Sequence, residues 1–496
     1  MDIFKKLSYA LSIGVVLLLS ACGEKDPVPT PEGSVAKNIQ LINEFAEGLM
    51  TNYYLWNNEA KQVISAQNLN TKTEPDPIEF YDKLVHQDDR WSFMTDDVES
   101  LNQSLSGTMT TFGYSLIFGR FVDSNGSPTG DVYAIVQYVY PDSPAERAGL
   151  ARGDYILRID GRNITVTNYT DLYYASSLNI GLGVVNGQYL EPNGTSVSIT
   201  AVEMYEDPIV HHSIIEKGGK RIGYLFYTDY ILDRIPGDSQ SLYDLENVFA
   251  TFKAAGVDDV VLDLRYNGGG YAFTSNFLCN LLAPKSALDN KDIMLVQKWN
   301  SILDPEMGES LRYGHSVKRT VNGTEMEIPI TSNMNLTRLF VLTGNNTASA
   351  SESTIVSLKP YLDLIQIGQT TSGKYCGGIV FDRSIILKDK APDMWSALGD
   401  NWGAYTMVYK FTNKNNATFV NGFTPQYIVN EHAEPFYPLG DEDDPLLGKA
   451  VELITGIPRT RGDIMTRSIE NISLTPLPDA RMKANRLDGK MIDVIK

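Results

Sequence analysis

Leu339-Phe340-Val341-Leu342-Thr343, then Gly344-Asn345-Asn346, then Thr347-Ala348-Ser349-Ala350-Ser351-Glu352 decides how this chain is read. The first five residues are apolar and partly β-branched, the pattern of a buried strand. Gly-Asn-Asn ends it. Residues 349–358 are small and helix-compatible, and Pro360 stops them. Ser349 is therefore expected at a strand-to-helix turn, beside unpaired N–H groups and the positive end of a helix dipole. A nucleophilic hydroxyl and an oxyanion site can share such a corner. A small-residue helix start near a surface lysine would need no more explanation than helix capping.

A serine hydroxyl needs a base. The five histidines (His86, His211, His212, His315, His432) stand in no triad motif. Burial can bring a lysine toward neutrality, which makes lysine the other option. Lys359 lies roughly 15 Å along a continuous helix, too far. Lys374, in Thr371-Ser372-Gly373-Lys374, follows a second short strand, 364–368. A strand returning beside the first could bring it to the helix start.

Thr-Ala-Ser-Ala-Ser-Glu followed by this Gly-Lys resembles the S41 family of C-terminal processing serine proteases. The resemblance implies that Ser349 is the nucleophile and Lys374 the base. A glutamine often stands four residues after the family's lysine and orients it. Gly378 stands there in this sequence, so the orienting group is left open.

Other stretches carry the same resemblance. Val260-Val261-Leu262-Asp263-Leu264 reads as a buried strand. It leads into Arg265-Tyr266-Asn267-Gly268-Gly269-Gly270, which is similar to the family motif whose glycine amide forms half of the oxyanion hole. That role falls to Gly269, with Gly268 as the alternative, and Ala350 N–H supplies the other half. A side chain there would keep a scissile carbonyl from the backbone. A phosphate-cradling loop is the rival reading, and no Gly-Lys-Ser/Thr follows to support it. Gly422-Phe423-Thr424-Pro425-Gln426 resembles the stretch after the family's catalytic core, with Gln426 in place of Asp.

Residues 107–206 turn to β patterning. Pro141 to Leu150 and Gly153 to Gly161 read as a short helix, a turn and a strand, and resemble a PDZ domain. The resemblance makes Gly113, Tyr114, Ser115 and Leu116 the loop that binds a peptide carboxylate, with the next strand pairing with the peptide. Ser115 replaces the loop's second glycine. A PDZ fold serving only as a spacer is the alternative.

Residues 37–106 are helical in pattern, with Ile39, Leu41, Ile42, Phe45 and Leu49 on one stripe. Tyr54-Leu55-Trp56 and Asp89-Arg90-Trp91-Ser92-Phe93 resemble the N-terminal helical domain of an S41 subgroup, as aromatic core positions.

The chain's start reads as a targeting segment. Lys5 and Lys6 precede an apolar run, 11–19, too short to span a membrane. Leu19-Ser20-Ala21-Cys22 resembles the bacterial lipobox, which implies a lipidated Cys22. An ordinary signal peptide with a chance Cys is the alternative. Residues 22–36 read as a flexible tether with three prolines. Cys279 and Cys376 remain, and an exported protein could pair them or leave them as buried thiols.

With 42 Lys+Arg against 61 Asp+Glu, the formal net charge is −19. That argues against nucleic acid and against charge-driven binding to anionic membranes. Asp441 to Asp444 lack the spacing of a calcium loop. They read as a helix start instead: Asp444 caps, Pro445 leads and Gly456 ends the helix. Residues beyond 459 read as a polar, mobile tail.

The expected fold is multidomain α+β: a signal segment (1–21), tether (22–36), helical cap (37–106), PDZ domain (107–206), α/β protease core of the ClpP/crotonase type (207–458) and tail (459–496). The expected function is an exported serine endopeptidase in the bacterial cell envelope, lipid-anchored, taking protein or peptide substrates by their C-termini, with no metal or cofactor. The alternatives are a non-catalytic S41-like lipoprotein that binds a ligand or peptide, and a PDZ-based scaffold.

Overall fold

The computed structural model describes residues 35–308, 310–321, 323–433, 435–459, 470–473, 477 and 490–492. The expected signal segment and Cys22 lie outside them. No helix among the described residues is long and apolar enough to cross a membrane.

The architecture is α+β, as expected. Its centre is a six-stranded sheet with Arg338–Thr343 inside it, flanked in parallel by Asp259–Asp263 and Asp363–Gly368. Lys220–Tyr227 joins in parallel on one side, followed by antiparallel Ile209–Lys217, and Tyr427–Ile428 closes the other edge. A parallel strand is covered on both faces, so its apolar residues run continuously and divide by parity. Leu339 and Val341 join the core beneath the helices Ala272–Leu282 and Ala350–Leu358. Phe340 and Leu342 face the opposite way, against Leu446, Leu447 and Val451 of Pro445–Thr455. That helix starts and ends as its sequence dictates. Asp444 accepts from Leu446 and Leu447 N–H, Pro445 is the first residue, and Gly456 ends the helix in the left-handed region.

A second, seven-stranded sheet carries Cys376–Asp382, Gly403–Thr412 and Ile293–Trp299 in antiparallel order. The N-terminal segment belongs to it, because Phe93–Thr95 pairs with Gly403–Tyr405. The helices Lys37–Asn52, Asn57–Gln67 and Pro77–Leu84 share one hydrophobic core with this region. Ile42, Phe45 and Leu49 are buried, and Ile39 and Leu41 sit half-buried at the margin. The helical segment is thus part of the wall of this second sheet.

Residues 114–200 form six strands of another seven-stranded sheet with its own core. Its order is Ile472–Ser473, Tyr114–Val122, Pro128–Val139, Arg162–Thr165, Tyr155–Ile159, Ser177–Asn186 and Tyr189–Thr200. The tail expected to be mobile therefore supplies strands. Ile472–Ser473 joins this sheet, and Lys490–Ile492 joins the second one. Polar composition does not reveal backbone groups that meet an open sheet edge.

Cys279 and Cys376 are both buried free thiols, so the pairing left open by the sequence does not occur.

Candidate active site

Ser349 is the N-cap of Ala350–Leu358, with φ 59° and ψ −109°. A non-glycine residue rarely adopts a positive φ, and the strain is of order 1–3 kcal/mol. The turn is held on two sides. Glu352 Oε2 accepts Ser349 N–H at 2.9 Å, and Ser353 N–H donates to Ser349 O at 2.7 Å. Ser349 Oγ is buried and makes no hydrogen bond. Ala350 is the first helical residue, so its N–H is one of the amides without an intrahelical acceptor.

Glu352 links this turn to Lys374. The strand Asp363–Gly368 returns parallel to Arg338–Thr343, and the chain then runs past the helix start. Glu352 Oε2 also accepts Lys374 N–H at 2.8 Å, while Oε1 accepts Gly373 N–H at 2.7 Å and Thr371 Oγ1–H at 2.5 Å. One buried carboxylate thus holds the backbones of Ser349 and Lys374 together. Burial pushes its pKa up to about 7, against the pull of the Thr371 hydroxyl and the three amides. Glu352 was absent from the residues singled out by sequence, although it ends the quoted Ser-Ala-Ser-Glu motif.

Lys374 has no exposed surface. Its Nζ donates to Tyr405 Oη at 3.2 Å and lies 4.9 Å from the Tyr405 ring centroid and 5.6 Å from that of Trp91. Tyr405 Oη is thus a hydrogen-bond partner of the amine whose orienting group the sequence left open. A Cβ at Gly378 would meet the Tyr405 ring at 2.6 Å and Met407 Cε at 2.4 Å. The tyrosine ring fills the space of a side chain at 378. Trp91, read as core only, is buried and also walls the lysine.

The glycine turn stands beside the same helix. Asn267 Nδ2–H donates to Tyr227 O, and Oδ1 accepts Ser351 Oγ–H at 2.9 Å. Ala348 N–H donates to Asn267 O at 3.2 Å. Oδ1 also accepts Gly269 N–H at 2.8 Å, so that amide is already engaged. Gly268 is the neighbouring alternative. Gly270 needs its bare Cα: φ is 136°, and a Cβ would meet Tyr230 O at 2.5 Å.

Beneath the turn, Arg265 is fully buried with three carboxylates. It donates to Asp263 at 2.7 Å, Asp444 at 2.9 Å and Glu431 at 3.2 Å. Arg152 of the 114–200 sheet region reaches the same cluster and donates to Tyr266 Oη at 2.9 Å. The guanidinium charges hold the Asp444 and Glu431 carboxyls below their usual range, whereas burial raises Asp263. Gln426 pins the neighbouring strand, accepting from Gln366 N–H and donating to Leu364 O, both at 2.8 Å.

The expected carboxylate loop lies at the start of Tyr114–Val122, in a different sheet from the one that leads into the Ser349 turn. Gly113 N–H donates to Thr111 Oγ1 at 3.0 Å, and Leu116 N–H to Tyr173 Oη at 2.8 Å. Tyr114 Oη donates to Leu172 O, and Ser115 Oγ to Gln137 Oε1. No group of His, Cys, Asp and Glu that could hold a metal occurs among the described residues.

The family model of peptidase family S41 matches residues 221–429, which hold the Ser349 turn, Lys374 and the glycine turn. The model of the peptidase S41 N-terminal domain matches residues 42–93. The chain belongs to peptidase family S41. A PDZ domain model matches residues 135–175, so the Gly113–Leu116 loop lies outside the matched segment. The carboxyl-terminal-processing protease of Picosynechococcus sp. is 25% identical over 371 residues, covering 72% of this chain and 73% of that protein. The chloroplastic C-terminal processing peptidase of Tetradesmus obliquus is 23% identical over 287 residues, covering 55% and 53%. This S41 chain also shares its fold with a Bacteroides fragilis protein solved as an S41 protease. The TM-score is 0.64 at 24% identity, over 84% of this chain and 98% of the other.

Proposed function

We propose that this S41 chain is a serine endopeptidase with Ser349 as nucleophile and Lys374 as base. The observation that carries the reading is the Glu352 carboxylate, which accepts N–H groups from both residues at one helix start. Burial disfavours the charged form of an amine. Neutral Nζ would take the Ser349 hydroxyl proton as Oγ attacks the peptide carbonyl. Ala350 N–H and an amide of the Gly268–Gly269 turn would hold the oxyanion. Protonated Nζ would then give its proton to the leaving amine, and water would release the acyl group by the same route reversed. Tyr405 and Trp91 would fix the amine's direction.

Ser349→Ala should abolish Ser349-directed fluorophosphonate labelling and lower casein hydrolysis at least a thousandfold. Lys374→Arg should be nearly as inactive, since a guanidinium does not lose its proton at usable pH. Undiminished turnover in either variant defeats the dyad.

Recognition of substrate C-termini by the PDZ domain is part of this reading, supported by the names of the curated relatives. Export and anchoring by Cys22 rest on the sequence motif. Mass spectrometry of the mature N-terminus should show a diacylglyceryl group on Cys22, and an unmodified terminus at another residue overturns it.

A further inference from the structure

Two separated pieces of the C-terminal tail lie on the two surfaces where a peptide strand would add. Lys490–Ile492 runs parallel to Gly269–Tyr271, pairing Gly269 with Lys490, Gly270 with Met491 and Tyr271 with Ile492. On its other side Ile492 pairs with Gly378. The tail strand therefore fills a slot between the glycine turn and Cys376–Asp382, which begins two residues after Lys374. Without it, Gly269–Tyr271 and Cys376–Asp382 would each present unpaired backbone groups, the arrangement that captures extended peptides.

The second piece occupies the outer edge of the PDZ sheet. Ile472–Ser473 pairs antiparallel with Phe121 and Arg120 of the edge strand Tyr114–Val122. Val122 N–H donates to Asn471 O at 2.9 Å, and the Asn471 side chain accepts Leu190 N–H and donates to Leu190 O, both at 2.8 Å. The antiparallel direction carries the chain toward the Gly113–Leu116 end of that strand. Leu477 is in fact packed on the PDZ core cluster that contains Tyr114, Leu116 and Phe118.

We propose that the chain's own C-terminal tail is an intramolecular ligand of both peptide-binding surfaces, with Lys490–Ile492 seated in the substrate cleft. This rests on reading the Ser349 corner as the peptidase site. The complete burial of Ser349 and Lys374 agrees with it, since a nucleophile that acts on polypeptides must become reachable. A few backbone-paired residues bind weakly on their own. A tethered ligand gains an effective concentration in the millimolar range, so a short segment holds its slot and still yields to a competing strand. The resting enzyme is thus self-occupied, and substrate must displace the tail.

The test uses the full chain carrying Ser349→Ala, so that nothing is cleaved, and a fluorescein-labelled synthetic peptide of residues 487–496. Consecutive strand residues direct their N–H groups to opposite neighbours, so Met491→Pro with Ile492→Pro removes a donor toward each flanking strand. The labelled peptide should bind this variant at least fivefold tighter than the Ser349→Ala parent. Asn471→Ala leaves the protease sheet intact and loosens only the piece on the PDZ edge, so a second labelled peptide, of residues 468–477, should bind this variant tighter than the Ser349→Ala parent. It decides the matter if the double-proline variant does not fold. With Ser349 restored, both tail variants should hydrolyse casein faster than the unaltered chain. Equal affinity for the second peptide in the parent and Asn471→Ala overturns the tail inference. Hydrolysis that persists in Ser349→Ala overturns the nucleophile instead, and the peptide affinities still report tail occupancy.

Discussion

At the residue scale, Glu352 concentrates the energetics of the site. Its carboxylate accepts from Ser349, Gly373, Lys374 and Thr371, which fills both oxygens. Glutamine can accept at only one end and would turn an NH₂ group toward two donors. Glu352→Gln should therefore lower kcat about a hundredfold with a much smaller change in KM, read by steady-state kinetics. The same group couples stability to pH. Burial holds its folded-state pKa at about 7, above the ordinary carboxylate value of 4.5. The native state thus holds a proton that the unfolded state releases. The associated stability is fully present below about pH 4.5 and is lost as pH rises through about 7. Urea midpoints of the wild type should fall more steeply across that window than those of Glu352→Gln. Parallel slopes would remove Glu352 as the source.

At the scale of elements, the pairing of Cys376–Asp382 with Gly403–Thr412 determines how the lysine is held. Gly378 pairs with Met407, beside a register shift between Gly377 and Gly378. Adding a Cβ at 378 forces it into Tyr405 and Met407. Gly378→Gln should therefore displace Tyr405 rather than supply a second orienting group. Overpacking of this kind costs about 1–3 kcal/mol. A lower thermal midpoint together with lower activity is expected, and a faster enzyme of unchanged stability would refute the Tyr405 assignment.

At the scale of the whole molecule, the Arg265 cluster ties three parts of the chain together. Arg152 comes from the PDZ region, Asp263 and Arg265 lead into the glycine turn, and Asp444 begins the helix Pro445–Thr455. Asp444 both caps that helix and pairs with Arg265, and the pair is almost completely buried. Removing one partner strands a buried charge at a cost of about 3–5 kcal/mol. Asp444→Ala should lose about that much in urea unfolding, beyond the roughly 1 kcal/mol expected for a cap alone. A loss no larger than the cap value would show that Arg265 finds compensation elsewhere.

Local pattern determined a good part of this protein. The run Leu339–Thr343, the break at Gly344 and the small residues after Ser349 encode strand, turn and helix, because each signal is contained in a few neighbouring residues. The same holds for Asp444, Pro445 and Gly456 around the helix Pro445–Thr455. Motif likeness supplied the S41 and PDZ regions for the same reason. Tyr405, Trp91 and the Glu352 hub were not legible as a site. Their partners come from other segments: the register of Phe93–Thr95 on Gly403–Tyr405 sets Trp91 near Tyr405, and the return of Asp363–Gly368 beside Arg338–Thr343 brings Thr371 to Lys374 past Glu352. The two short strands of the tail were not legible for a related reason. Backbone N–H and C=O groups carry no residue signature, so only the folded sheets, one with a free edge and one with a slot between two strands, decide that residues 472–473 and 490–492 become strands.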